Sequence, residues 1–171
     1  MQFQIRPAQL ADARAIAHVH VEGWKSTYPG IVPDAYIASM NEEDSERNWR
    51  QWLEGNASQV FVAINESDIF GFIGGGPIRE ALADYDAELY AIYLLQQRQQ
   101  NGVGRALVRT LAASLHAQGL KSMIVWALAE NPAVEFYKRL GAIPVMTKTT
   151  DIGGKDLSDV ALGWPSLDLI L

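Results

Sequence analysis

The chain has 171 residues, 49% of them hydrophobic and 20% charged, the profile of one soluble globular domain spanning 1–171 rather than two. Its 14 Lys and Arg against 20 Asp and Glu leave a formal net charge of −6 with no basic tract, which speaks against nucleic acid as a partner and makes a cationic small molecule electrostatically easier. With no cysteine, disulfides, thiolate metal ligands and an acyl-cysteine intermediate are excluded, and with no window near the roughly 18 apolar residues of a membrane helix and no signal-peptide pattern in MQFQIRPAQ, a cytoplasmic protein without a membrane partner is expected.

Phe3 to Arg6 reads as a short strand ended by Pro7. Leu10 to Lys25 reads as a helix with Ala13, Ile16, Ala17, His20 and Trp24 facing inward and Asp12 near its first turn, where the helix dipole favours an acid. After the turn-like Tyr28-Pro29-Gly30, a second helical region opens at Pro33-Asp34 and runs to Leu53, with any break expected at Met40-Asn41 and with Trp49, Trp52 and Leu53 packing it onto a core.

From Gln59 the period changes. Val60 to Ile64 and Ile69 to Ile73 are β-rich runs joined by a hairpin turn, Asn65-Glu66-Ser67-Asp68, and Gly74-Gly75-Gly76-Pro77 then weakens or bulges the second strand. Glu88 to Leu94 is a third strand; after the glycine turn at Gly102 an amphipathic helix presents Leu107, Val108, Leu111 and Leu115 on one face and ends at Gly119. Met123 to Leu128 is a further strand, Asn131-Pro132 starts a helix closed by Gly141, and strands around Pro144 to Thr150 and Val160 to Trp164 finish the chain. The three histidines, His18, His20 and His116, lack neighbours at metal-ligand spacing, so no metal is expected.

Gln99-Gln100-Asn101-Gly102-Val103-Gly104-Arg105 places two glycines where a strand turns into a helix. A helix start offers unpaired N–H groups and partial positive charge, and glycine lets a ligand approach the backbone, so an anion could be held there by amides. Two known phosphate loops do not fit: a Walker loop needs Gly-Lys-Ser/Thr where this chain has Gly104-Arg105-Ala106, and the dinucleotide fingerprint needs Gly or Ala where it has Leu107. Taken alone, the glycines could equally make no more than a tight turn.

Residues Glu88 to Leu107, with Q-x-x-G-x-G at Gln99, Gly102 and Gly104, resemble the acetyl-CoA pyrophosphate motif of GNAT N-acetyltransferases, and Ala129 to Ala142 resembles the second motif of that superfamily, in which an asparagine ends a strand and a tyrosine sits on the next helix. The resemblance covers nearly the whole chain. It implies an α/β (α+β) fold: a mixed, mostly antiparallel sheet of about six to seven strands, flanked by about four helices and splayed around the strand before the glycine turn. It further implies direct acetyl transfer from acetyl-CoA to a small-molecule or peptide amine in a ternary complex. The alternatives are a module that binds acetyl-CoA without turnover, and acetylation of protein N-termini or lysines. Dimers are common among similar proteins, and the five tryptophans could serve an interface or a core.

Such transfer needs a deprotonated amine, a stabilised carbonyl oxygen and a proton for the departing thiolate. An amine with a pKa near 10.4 is mostly ammonium at pH 7, at a cost of about 4–5 kcal/mol for freeing its lone pair. The resemblance implies Glu88 as the base, directly or through water; Tyr137 as the proton donor to sulfur; Asn131 against the pantetheine arm or the substrate; and backbone amides at Ile92, Tyr93 and Leu94 for the carbonyl oxygen. It places the diphosphate on Gln99 to Arg105, although many members have Arg where this chain has Gln99, and walls the acceptor with Trp24 and Tyr28. The ordinary readings beside these are a solvated glutamate, a core tyrosine, a helix-capping asparagine and aromatic packing. Because Phe136 and Tyr137 cannot face the same way on one helix, one is expected to pack and the other to face the site. The acidic loop Glu80 to Asp86 could draw in a cationic amine or be only a solvated turn.

Overall fold

The computed structural model describes residues 2–55, 58–66, 68–82 and 84–171, so Ser67 of the expected hairpin turn and Ala83 of the acidic loop lie outside the described residues. Seven strands form one sheet: β1 (Gln4–Pro7), β2 (Gln59–Asn65), β3 (Asp68–Pro77), β4 (Ala87–Leu94), β5 (Met123–Leu128), β6 (Ile143–Ile152) and β7 (Lys155–Trp164), in the order β1-β2-β3-β4-β5-β7-β6. Neighbours are antiparallel except β4 and β5. That parallel pair requires a crossover, supplied by the helix after the glycine turn. The described residues form five α-helices: α1 (Ala13–Thr27), α2 (Asp34–Ser39), α3 (Glu42–Glu54), α4 (Val103–Ala117) and α5 (Ala133–Arg139).

Both faces of the sheet are covered, which explains why β2 to β5 read as nearly continuous apolar runs rather than alternating ones. On one face Leu107, Leu111 and Leu115 of α4 pack against Leu89, Met123, Leu162 and Trp164. On the other, Ile16 and Ala17 of α1 and Trp49 of α3 pack against Val60, Val62 and Phe72. The glycine run is part of β3 and permits the first of these layers: a Cβ on Gly75 would meet the Glu88 carbonyl oxygen and Leu111 Cδ2, both at 2.7 Å.

The splay has a visible cause. β4 and β5 pair over only Ala87↔Met123, Glu88↔Ile124 and Leu89↔Val125. One residue later Tyr90 is the extra residue of a bulge, since Gly75 pairs with Leu89 and Gly74 with Ala91. A bulge bends its strand, so Ile92 to Leu94 follow β3 away from β5 and a wedge opens between the parallel strands.

The second helical region is two helices, with the break at the Met40-Asn41 position named in the sequence, because Met40 takes an extended conformation and the Asn41 side chain then caps α3 through the N–H of Asp44 at 2.8 Å. Trp52 is 37% exposed rather than packed into the core, its ring set edge-on to Trp49 and Tyr90. The last two strands are longer than their apolar pattern, β7 starting at Lys155 rather than Val160, because β6 is an edge strand with mostly exposed residues; the two meet at the Gly153-Gly154 turn that the family resemblance implies. Among the described residues no helix is long and apolar enough to cross a membrane.

Candidate active site

The wedge is the mouth of a cavity of about 830 Å³ bordered by the end of α1, the second half of β4, the start of α4, β5 and α5. At one end Gln100 and Gly102 are both left-handed, with φ of +63° and +78°, so the chain reverses sharply into α4. Gly102 is the residue that adopts this conformation without strain. The first helical bond runs from the Ala106 N–H to the Gly102 carbonyl at 3.1 Å, leaving the N–H groups of Val103, Gly104 and Arg105 at the positive end of a 15-residue helix.

Gln99, Gln100, Gly102, Gly104 and Arg105 border the cavity. The other two predicted residues do not. Val103 is buried in the α4 core, and Asn101 donates from Nδ2 to the Gln99 carbonyl at 3.0 Å. The Gln99 side chain donates in turn to the Leu94 carbonyl at 3.3 Å, tying the turn to the end of β4. Arg139, missed by sequence reasoning, joins Arg105 as a second cation on the wall. Free amides, two guanidinium groups and apolar walls at Leu94, Ala133 and Phe136 suit a diphosphate with an elongated arm, the chemistry of acetyl-CoA.

Along the wedge, Ile92, Tyr93 and Leu94 all border the cavity, and the β4 edge facing β5 has no strand partner there. Tyr137 reaches the cavity from α5 while being almost fully buried. Burial, with a smaller contribution from Tyr28, pushes its hydroxyl well above the ordinary tyrosine range, so it remains a protonated donor. Burial raises Tyr28 and Tyr93 likewise. Phe136 also borders the cavity, beside Gly104, so both neighbours on α5 face the site. The short helix crosses the open end of the wedge, and residues on either flank of it touch the gap.

Tyr28 lies on the wall with its hydroxyl accepting from Asn131 Nδ2 at 3.1 Å. Asn131 borders the cavity and also accepts the Ala133 N–H at 2.9 Å, so it starts α5 as a capping residue while facing the site. Trp24 is not on the wall; it stacks behind Tyr28 with ring centroids 4.3 Å apart.

Glu88 does not border the cavity either. Its carboxylate is buried and accepts the Arg79 N–H at 3.1 Å, Arg79 Nε at 3.2 Å and Arg79 Nη2. The acidic loop is not a free anionic funnel: Asp86 accepts the N–H groups of Lys121 and Ser122, both at 2.9 Å, and Glu80 pairs with Lys148 at 3.6 Å. Partial burial opposes the Asp86 charge, yet those N–H bonds keep its carboxyl below the usual range. Arg79 was invisible to motif reasoning because its pairing depends on the β3–β4 register.

His20 is half-buried, with Nδ1 accepting from Trp49 Nε1 at 3.3 Å, and partial desolvation lowers its pKa to about 4. Among the described residues no three His, Asp or Glu side chains are grouped to hold a metal ion.

Residues 24–142 match the acetyltransferase (GNAT) family. YuaI of Bacillus subtilis (strain 168), an uncharacterized N-acetyltransferase, is 42% identical over 168 residues, covering 97% of this chain and 95% of that protein. Spermidine N(1)-acetyltransferase of Thermoplasma acidophilum is 25% identical over 91% of this chain and 94% of its own length, and phosphinothricin N-acetyltransferase of Streptomyces viridochromogenes 27% over 81% and 73%. Among solved structures, an acetyltransferase of Salmonella typhimurium with its cofactor acetyl-CoA superposes with a TM-score of 0.72 at 20% identity over 97% of this chain and 94% of that one.

Proposed function

The chain belongs to the acetyltransferase (GNAT) family and is an acetyl-CoA-dependent N-acetyltransferase, and on that premise we propose that it transfers the acetyl group directly onto the primary amine of a small molecule in a ternary complex. The observation that carries the proposal is one cavity bordered at one end by the amides of α4 and along its length by the Tyr137 hydroxyl and the open edge of β4. The named relatives that act on spermidine and phosphinothricin agree with a small-molecule acceptor.

When bound, acetyl-CoA supplies a thioester carbonyl and a thiolate leaving group. The amides of Gly104 and Arg105, with the Arg105 and Arg139 side chains, hold the diphosphate. The open edge of β4 at Ile92 to Leu94 receives the carbonyl oxygen with backbone N–H donors that need no reorganisation. Tyr137 donates its proton to the sulfur as the new N–C bond forms and the C–S bond breaks, and recovers it from solvent. Water in the open mouth takes the ammonium proton, since the Glu88 carboxylate is occupied by Arg79. Tyr28, held by Asn131, bounds the acceptor end.

A spectrophotometric thiol-release screen with acetyl-CoA against amino acids, polyamines, aminoglycosides and short peptides tests the proposal. We expect turnover with one small-molecule class and a loss of about 10²–10⁴-fold in kcat for Tyr137→Phe with coenzyme binding retained. Unchanged turnover in that variant would remove Tyr137 from the mechanism; no thiol release with any amine would leave a binding module.

A further inference from the structure

The loop leading into β4 closes on an ion pair whose halves differ sharply in exposure: Glu88 is 2% exposed, whereas the Arg79 side chain is 56% exposed. A carboxylate buried that deeply must be hydrogen-bonded, and Arg79 provides its bonds, from the backbone N–H, Nε and Nη2. One edge of the guanidinium is thereby used. The other edge, carrying Nη1, has no acceptor among the described residues. The group is also fixed over the Tyr90 ring, with Cζ 4.6 Å from the ring centroid; Arg79 is not itself on the cavity wall, but Tyr90 is. Tyr90 is itself held, its hydroxyl donating to the Pro77 carbonyl and its ring set edge-on to Trp52. A guanidinium locked in plane with a free edge offers paired N–H donors at the spacing of the two oxygens of a carboxylate.

Building on the acetyl transfer proposed above, we infer that Arg79 is the specificity-determining residue for the acceptor, and that the acceptor is a small molecule carrying a carboxylate in addition to its primary amine, as an amino acid does. Glu88 is the positioning residue that aims the guanidinium. A polyamine, cationic throughout, gains nothing from this fork and is repelled by it.

The test compares acceptors that differ only in the carboxylate, 4-aminobutyrate with butylamine and lysine with 1,5-diaminopentane, with spermidine as the polycation. Wild type should favour the carboxylated member of each pair by about tenfold or more in kcat/KM, because a fork left unpaired disfavours the analogue. Arg79→Gln should raise KM for the carboxylated acceptors by a similar factor, while kcat, the KM for acetyl-CoA and butylamine kinetics stay at wild-type values. Arg79→Lys should recover only part, because an ammonium is a single point contact. Glu88→Gln should raise the same KM without altering the pH profile of kcat, the readout that separates positioning from base catalysis. Should Arg79→Gln fail to fold around an unpaired buried carboxylate, the double variant Arg79→Gln with Glu88→Gln removes that charge and carries the same expectation. Equal or better turnover of the decarboxylated partners or of spermidine overturns the inference while acetyl transfer stands, as does a loss of kcat common to all acceptors in Arg79→Gln. No thiol release with any acceptor overturns both readings.

Discussion

Asn131 donates from Nδ2 to the Tyr28 hydroxyl at 3.1 Å, joining the start of α5 to the residue after α1 across 103 positions of sequence. The same asparagine accepts the Ala133 N–H through Oδ1, so one side chain both opens a helix and ties the two banks of the cavity together. Tyr28→Phe removes the tie together with the hydroxyl's bond to Tyr93 and strands a buried donor, which should cost about 1–3 kcal/mol. Asn131→Ala removes the capping bond as well, worth about 1 kcal/mol more. Urea unfolding checks both: each variant should be less stable than wild type by about 1 kcal/mol or more.

Tyr137 gives a pH prediction with a definite sign. Its hydroxyl is held above the ordinary tyrosine value by burial, so the protonated, donating form persists to higher pH than that of a free tyrosine, which titrates near 10. With saturating acetyl-CoA and acceptor, kcat should therefore show no alkaline fall between pH 8 and about 10. A fall with an apparent pKa below about 9 would mean that a different group gives sulfur its proton.

His20 makes stability depend on pH in the acidic range. Its folded pKa of about 4 lies below the ordinary histidine value of 6.5 because desolvation disfavours the imidazolium. The unfolded chain thus binds the proton more readily, and the contribution is complete above 6.5 and lost as pH falls from 6.5 through about 4. The loss over that window is on the order of 3 kcal/mol. His20→Gln, which retains an acceptor for Trp49 Nε1 but does not titrate there, should show a smaller drop in Tm between pH 7 and pH 4.5 than wild type; equal drops would remove His20 as the cause.

Gly104 tests the anion cradle directly. A Cβ there would meet Phe136 Cζ at 3.2 Å and Leu94 Cδ1 at 3.6 Å, and the position borders the cavity. Gly104→Leu should therefore place its extra atoms where the coenzyme runs, weakening CoA binding about tenfold or more by calorimetry. A replacement of glycine by a good helix former inside α4 should leave Tm within a few degrees of wild type.

The parts of the molecule legible in sequence were those set by short-range rules. The 3.6-residue stripe of Leu107, Leu111 and Leu115 gave α4, and β5 was bounded correctly by its apolar run. Gly102 and Gly104 marked the helix start because a left-handed residue and a close approach are local demands. What stayed hidden depends on register and on how elements meet. Trp52 lies three residues after Trp49 and looks equally inward on a helical wheel, yet only Trp49 is seated against Phe72. The bulge at Tyr90 is a mismatch between two strands, and no single-strand pattern records it. From that mismatch follow the splay, the exposure of Tyr90 to the cavity and the pairing of Arg79 with Glu88, which gave the predicted base a partner instead of a place on the wall.

In the proposed reaction the acetyl group passes straight from coenzyme to amine with both bound at the wedge. Initial rates of thiol release, measured with acetyl-CoA varied at several fixed concentrations of an accepted amine, address it most directly. Double-reciprocal lines should intersect, as a ternary complex requires. Parallel lines, the signature of a covalent acyl-enzyme formed and discharged in turn, would contradict it.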